Sequence, residues 1–117
     1  VDGAINLGAA GAWVGTRFVA TPESLAHDIY KRRLVEAGSD DTMRGRLYSY
    51  GWPLGTPYRM IPPRRKTLLR FVAGGARRQD RDRFAEGISL YAGQGVGRIE
   101  EILPAATVLA ALGGGGP

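Results

Sequence analysis

The run Ala12-Trp13-Val14-Gly15-Thr16-Arg17-Phe18-Val19 constrains this chain most. It is apolar, too brief for a helix, and rich in aromatic and β-branched residues, so it reads as a buried strand. Before it, Val1 to Ala12 reads as the tail of a helix, with Gly8 and Gly11 flanking a tight connection. After it, Thr21-Pro22-Glu23 supplies a helix start: a hydroxyl cap, a proline where the missing N–H costs nothing, and an acid near the positive end of the dipole. This helix is predicted to run to about Ala37, pairing Leu25 with Ile29 and Tyr30 with Leu34, and to stop at a left-handed Gly38. The order is helix, glycine turn, strand, helix.

The remainder is shorter and more broken. From Ser39 to Pro63 the residues Gly51, Pro53, Gly55, Pro57, Pro62 and Pro63 leave room for little beyond a short strand around Arg44 to Tyr50. So long a shaped loop is expected to serve as a lid or binding segment. A short helix is predicted over Lys66 to Ala73, an exposed stretch over Gly74 to Arg83, and a helical turn followed by a glycine-rich bend within Ala85 to Gly97. The last element, Pro104 to Leu112, carries Val108, Leu109 and Leu112 at helical spacing and is expected to pack on something larger; Gly113 to Pro117 is a flexible end.

Composition narrows the function. With 117 residues the chain is at most one small domain. A hydrophobic fraction of 44% against 23% charge excludes wholesale disorder. The lack of cysteine excludes disulfide scaffolds, thiolate zinc sites and thiol nucleophiles. No run approaches the ~20 apolar residues of a membrane span, and a soluble, cytoplasmic protein is the default expectation. The chain begins at Val1 rather than Met, and an upstream portion is expected. The net charge of +5 invites a polyanionic partner. Half of the 16 cations, however, fall between Arg64 and Arg83, with Asp80 and Asp82 as partial partners, and this stretch reads as a solvated basic segment.

Gly15-Thr16 is the strongest chemical signal. A strand that ends there places a residue without a side chain where backbone N–H groups can approach an anion, and Thr16 adds a hydroxyl donor. That suits a phosphate, as at the loops after the last strands of a parallel α/β barrel. The competing reading is a strand-to-helix turn in which Gly15 merely relieves crowding. His27 reads as a solvent-facing helix residue, since no nucleophile or acid defines a triad around it. Asp40-Asp41 reads as capping a turn rather than binding a cation, and no metal site is expected. Gly93-x-Gly95-x-Gly97 has the wrong spacing for a dinucleotide fingerprint. Tyr48, Tyr50, Trp52 and Tyr58, near Arg44, Arg46 and Arg59, suit stacked bases or an apolar lid.

The segment Leu7 to Ser24 resembles the last barrel strand of the nitronate monooxygenase family, also called 2-nitropropane dioxygenases. The similarity continues through His27, Tyr30-Lys31, Asp41-Thr42, Gly51-Trp52-Pro53, Pro57-Tyr58-Arg59 and Tyr91 to Gly97, and ends in Leu103-Pro104-Ala105-Ala106. The resemblance implies an α/β fold: the C-terminal fragment of an FMN-binding (β/α)8 TIM barrel of ~250 residues, comprising last strand, lid loop and closing helices. All of residues 1–117 then belong to one flavin domain, with 39–83 as the lid. It implies that Trp13, Val14, Gly15 and Thr16 line the phosphate end of FMN, that an alkyl nitronate is oxidised with O2, and that the catalytic histidine lies upstream of Val1. The chain departs from the family pattern in having Leu54-Gly55-Thr56 where two residues are usual, Tyr58 in place of a histidine, Pro62-Pro63 in place of an asparagine region, and Gly95 in place of a serine. Two other functions remain open at this point. One is a flavin enzyme of the same superfamily that reduces enoyl thioesters or quinones with NAD(P)H. The other is a basic nucleic-acid-binding module using Arg64 to Arg83, although no nucleic acid is expected.

Overall fold

The computed structural model describes residues 1–46, 52–65, 68 and 75–113. The expected short helix over Lys66 to Ala73 therefore lies almost wholly outside the described residues, as do Tyr48 and Tyr50. The N-terminal helix is α1, Asp2–Asn6, and residues 12–15 do not form the expected strand. A barrel strand needs ladder partners on its edges, and no described strand pairs with them. Thr16–Val19 instead coils into α2, because the Gly15 carbonyl accepts from the N–H groups of Phe18 and Val19 at 3.0 and 3.3 Å.

Helix α3, Asp28–Glu36, starts later than the cap signal at Thr21 predicts. Thr21 is buried and its hydroxyl donates to the Phe18 carbonyl at 2.9 Å, so it closes α2 rather than opening α3. His27 is the cap. Its Nδ1 accepts from the Ile29 N–H at 3.1 Å, which leaves the proton on Nε2, 3.2 Å from Asp82. The solvent-facing reading of His27 is thus wrong: it is 7% exposed. Leu25 lies ahead of the helix and is exposed, while Tyr30 and Leu34 are buried as paired. Gly38 has φ −83°, so α3 ends through extended backbone without a left-handed residue.

Two buried donors on α3 organise its neighbours. The Tyr30 hydroxyl donates to the Tyr91 carbonyl, and the Lys31 ammonium donates to the Ser24 carbonyl at 2.9 Å. Among the described residues a three-stranded antiparallel sheet forms: β1 Met43–Gly45, β2 Tyr58–Ile61 in the centre, and β3 Leu90–Tyr91. Its register sets Arg44 against Arg59 and Met60 against both Met43 and Tyr91. The strand expected over Arg44 to Tyr50 therefore exists at its start, with 47–51 outside the described residues. Helix α4, Asp82–Gly87, precedes β3, and a 3₁₀ turn, Gln94–Arg98, follows it. The core is Leu34, Ile61, Ala85, Ile88, Leu90, Val96 and Ile99, all nearly fully enclosed.

Helix α5, Ala105–Leu112, closes the chain with Pro104 as its cap residue and Val108 buried. The 3₁₀ turn sits hard against a second one at Ser39–Asp41. A Cβ on Gly97 would lie 2.5 Å from the Ser39 Oγ and 2.8 Å from its backbone nitrogen, so only glycine fits. Gly97→Ala is expected to destabilise the chain by about 1–3 kcal/mol, read as a lower urea midpoint; an unchanged midpoint contradicts this packing.

Candidate functional site

Trp13, Val14, Gly15 and Thr16 all line one cavity of about 450 Å³. One side of it is α5, through Val108 and Leu112, and another is the 3₁₀ turn, through Gly95 and Arg98. Its lining divides chemically into an apolar and a polar set. The apolar set includes Val108 and Leu112 of α5 and Trp13, which is 98% exposed. In the polar set Arg17 and Arg98 are the charged side chains, and no carboxylate lines the space.

Thr16 and Arg17 of the polar set belong to α2. As residues of a first helical turn, Thr16 and Arg17 present N–H groups that have no partner within the helix. Gly15 precedes them, and a Cβ there would meet nothing within 4 Å; the same holds for Gly95 across the cavity. Packing among the described residues therefore demands glycine at neither position, which weighs against relief of crowding as the reason for Gly15. Arg17 is steered by two backbone carbonyls, donating to Ala20 three residues on at 3.4 Å and to Glu101, 84 residues away, at 3.0 Å.

Thr16 joins two segments far apart in sequence. Its Oγ1 accepts from the Gly93 N–H at 3.1 Å, across 77 residues. That contact and the entry of Arg98 into the site had no signal in the sequence, because neither follows from local spacing, whereas Arg17 enters as the immediate neighbour of Thr16 within the run already singled out. A second cleft, of about 420 Å³, also borders Gly15 and Thr16 and is lined by Tyr30, Arg59, Tyr91 and Gly93. Arg59 donates to the Thr42 hydroxyl at 3.0 Å. Burial pushes the Tyr30 phenol well above its ordinary range. The expected aromatic cluster is partly assembled: Tyr58 meets Tyr91 edge to face at 6.0 Å, and Trp52 lines a pocket with both.

The basic stretch has partners other than those expected. Arg64 pairs with Glu36 at 2.6 Å and Arg65 approaches Glu86 at 3.8 Å, whereas Asp82 is taken by His27 and Asp80 accepts from the Arg77 backbone N–H. Arg78 donates to the carbonyls of Pro22 and Ser24 at 3.0 and 2.9 Å. Ala76 is buried, so Gly74 to Arg83 is not uniformly exposed. Asp41 caps a turn, accepting from the Gly38 N–H at 2.7 Å.

The nitronate monooxygenase family profile matches residues 1–114. The chain belongs to that family. A probable nitronate monooxygenase of Bacillus subtilis (strain 168) is 28% identical over 113 residues, covering 86% of this chain and 32% of the relative. The solved structure of a point mutant of FabK from Thermotoga maritima superposes with a TM-score of 0.60 at 29% identity, covering 91% of this chain and 33% of that one. This family member thus spans about a third of the length of the proteins it matches.

The cavity wall depends on Glu23, whose two carboxylate oxygens both lie 3.1 Å from the Ala105 N–H at the start of α5. Its own backbone N–H, then that of Ala105, hold the Glu23 carboxyl below the usual carboxylate range. A lowered carboxyl pKa stabilises the fold above the unfolded value of 4.5, and that contribution is lost as pH falls through the folded pKa. The Ala105 amide shift is expected to titrate below pH 4.5 and to stop titrating in Glu23→Gln. A midpoint at or above the ordinary value contradicts the contact.

Proposed function

We propose that this chain is the C-terminal part of a single FMN-dependent oxidoreductase domain of (β/α)8 type, and that Gly15 and Thr16 hold the phosphate end of FMN. The observation that carries the reading is the polar lining of the 450 Å³ cavity: two arginines without a carboxylate, a hydroxyl, and two glycines whose missing side chains leave open space. Such a set fits a multiply charged phosphate, which takes N–H and guanidinium donors and excludes carboxylates. Trp13 and Val14 border the same site. Family membership and the one-third coverage support a larger enzyme around it. The uncovered Leu7, Trp13 and Ile5 supply an apolar surface against which the rest of a barrel would pack.

Bound FMN would supply the redox chemistry, the oxidation of an alkyl nitronate with O2, in a soluble, cytoplasmic enzyme. The residues of this chain would bind and orient the cofactor, and residues 39–83, with Trp52 and Tyr58, would cover its mouth. The catalytic base would come from residues outside this chain.

Gly15→Val tests the site in the complete polypeptide. A Cβ at position 15 meets nothing within 4 Å among the described residues, so folding is expected to be unaffected while FMN affinity falls about tenfold or more, ~1.4 kcal/mol. Unchanged affinity contradicts the assignment. Oxygen uptake with a nitronate, set against NAD(P)H oxidation with a quinone or an enoyl thioester, separates nitronate oxidation from reductase activity.

A further inference from the structure

The Thr16 hydroxyl is half-used. It accepts from the Gly93 N–H at 3.1 Å, and among the described residues nothing accepts its proton. A hydroxyl has one proton and two lone pairs. With the amide hydrogen occupying one lone pair, the proton is left to donate to a group other than Gly93. Accepting that bond also polarises the O–H and makes it a better donor. Fixing the oxygen fixes χ1, and so the whole side chain, in one rotamer well.

We propose that Gly93 is a positioning residue for anion recognition: its backbone N–H holds the Thr16 hydroxyl as an outward donor to a phosphate. This rests on the FMN reading above and deepens it, since it assigns the glycine-rich turn after β3 to the selection of phosphorylated over unphosphorylated flavin. Gly93 is suited to the role. It sits at φ −77°, ψ 167°, immediately before the 3₁₀ turn, and its carbonyl is separately engaged by the Val96 N–H at 3.1 Å. Its amide can therefore serve Thr16 without unsettling the turn.

The geometry also supplies a clean pair of variants. A Cβ at position 93 would lie 3.8 Å from the Thr16 Oγ1, an ordinary contact, so Gly93→Ala keeps both the amide and the fold. Proline fits φ near −65° and lacks the N–H, so Gly93→Pro deletes the donor while matching the backbone. In the complete polypeptide, affinities for FMN and for riboflavin are measured by quenching of flavin fluorescence. The readout is their ratio, which a merely structural role would not move because both ligands would weaken together.

The ratio is expected to be unchanged in Gly93→Ala and Thr16→Ser, and to fall about fivefold to tenfold in Gly93→Pro and in Thr16→Val. The double variant is expected to lose no more than Thr16→Val alone, because both changes break one device. An unchanged ratio in a folded Gly93→Pro overturns the inference. Should Gly93→Pro fail to fold, the Gly93 amide resonance of the wild type decides: a shift with FMN but not with riboflavin supports the role, and an equal response to both overturns it. A wild-type protein that binds neither flavin overturns the underlying reading. A wild type that binds FMN, with selectivity indifferent to Gly93→Pro, overturns only the role of Gly93.

Discussion

Two donors on the inner side of α3 cannot be left without acceptors, and satisfying them fixes the arrangement around the site. An unmade bond to a buried hydroxyl costs about 1–3 kcal/mol, and more for a buried ammonium. Tyr30 meets the cost by donating to the Tyr91 carbonyl and so ties α3 to the end of β3. Lys31 donates into the turn at residues 22–24, which also accepts from Arg78 and whose Glu23 caps α5. Among the described residues every buried side-chain nitrogen and oxygen has a partner. One helix thereby sets the positions of β3, of the turn beside α2, and of the helix that walls the cavity.

The ends of those tethers meet at Thr16. β3 leads directly to Gly93, whose amide reaches Thr16, and the 22–24 turn follows α2, which Thr16 opens. The position of Thr16 is thus determined from two directions by contacts made in the core. Trp13 has no such support and stands almost fully exposed. This asymmetry fits the proposed reading, in which the phosphate side is built locally and the cover over Trp13 comes from elsewhere in a larger enzyme.

Much of this was legible in the sequence where local chemistry decides. The C-terminal helix, the burial of Tyr30 and Leu34, and the ordered resemblance from Leu7 to Ala106 all rest on short-range patterns. The errors share a cause: each depended on a partner distant in sequence. Residues 12–15 have strand character but no described edge to pair with. Thr21 looks like a helix cap, yet its hydroxyl is claimed by Phe18, and the true cap, His27, is oriented by Asp82 from 55 residues away. The described arginines of the basic stretch are exposed, as a solvated segment requires, but the partners of Arg64 and Arg78 are Glu36 and the carbonyls of Pro22 and Ser24 rather than Asp80 and Asp82. In the same way, Gly15, Thr16 and the adjoining Arg17 were visible as one run, whereas Arg98 and Gly93 became part of the site only through folding.

The most direct test of the central claim, that the backbone at the start of α2 grips an anion, is to follow individual amide resonances while FMN is added to the complete polypeptide. The account predicts that the amides of Thr16 and Arg17 move most, together with the Arg98 side chain. Movement centred instead on Arg32, Arg33 and Arg64, the arginine-lined groove beside α3, would contradict it.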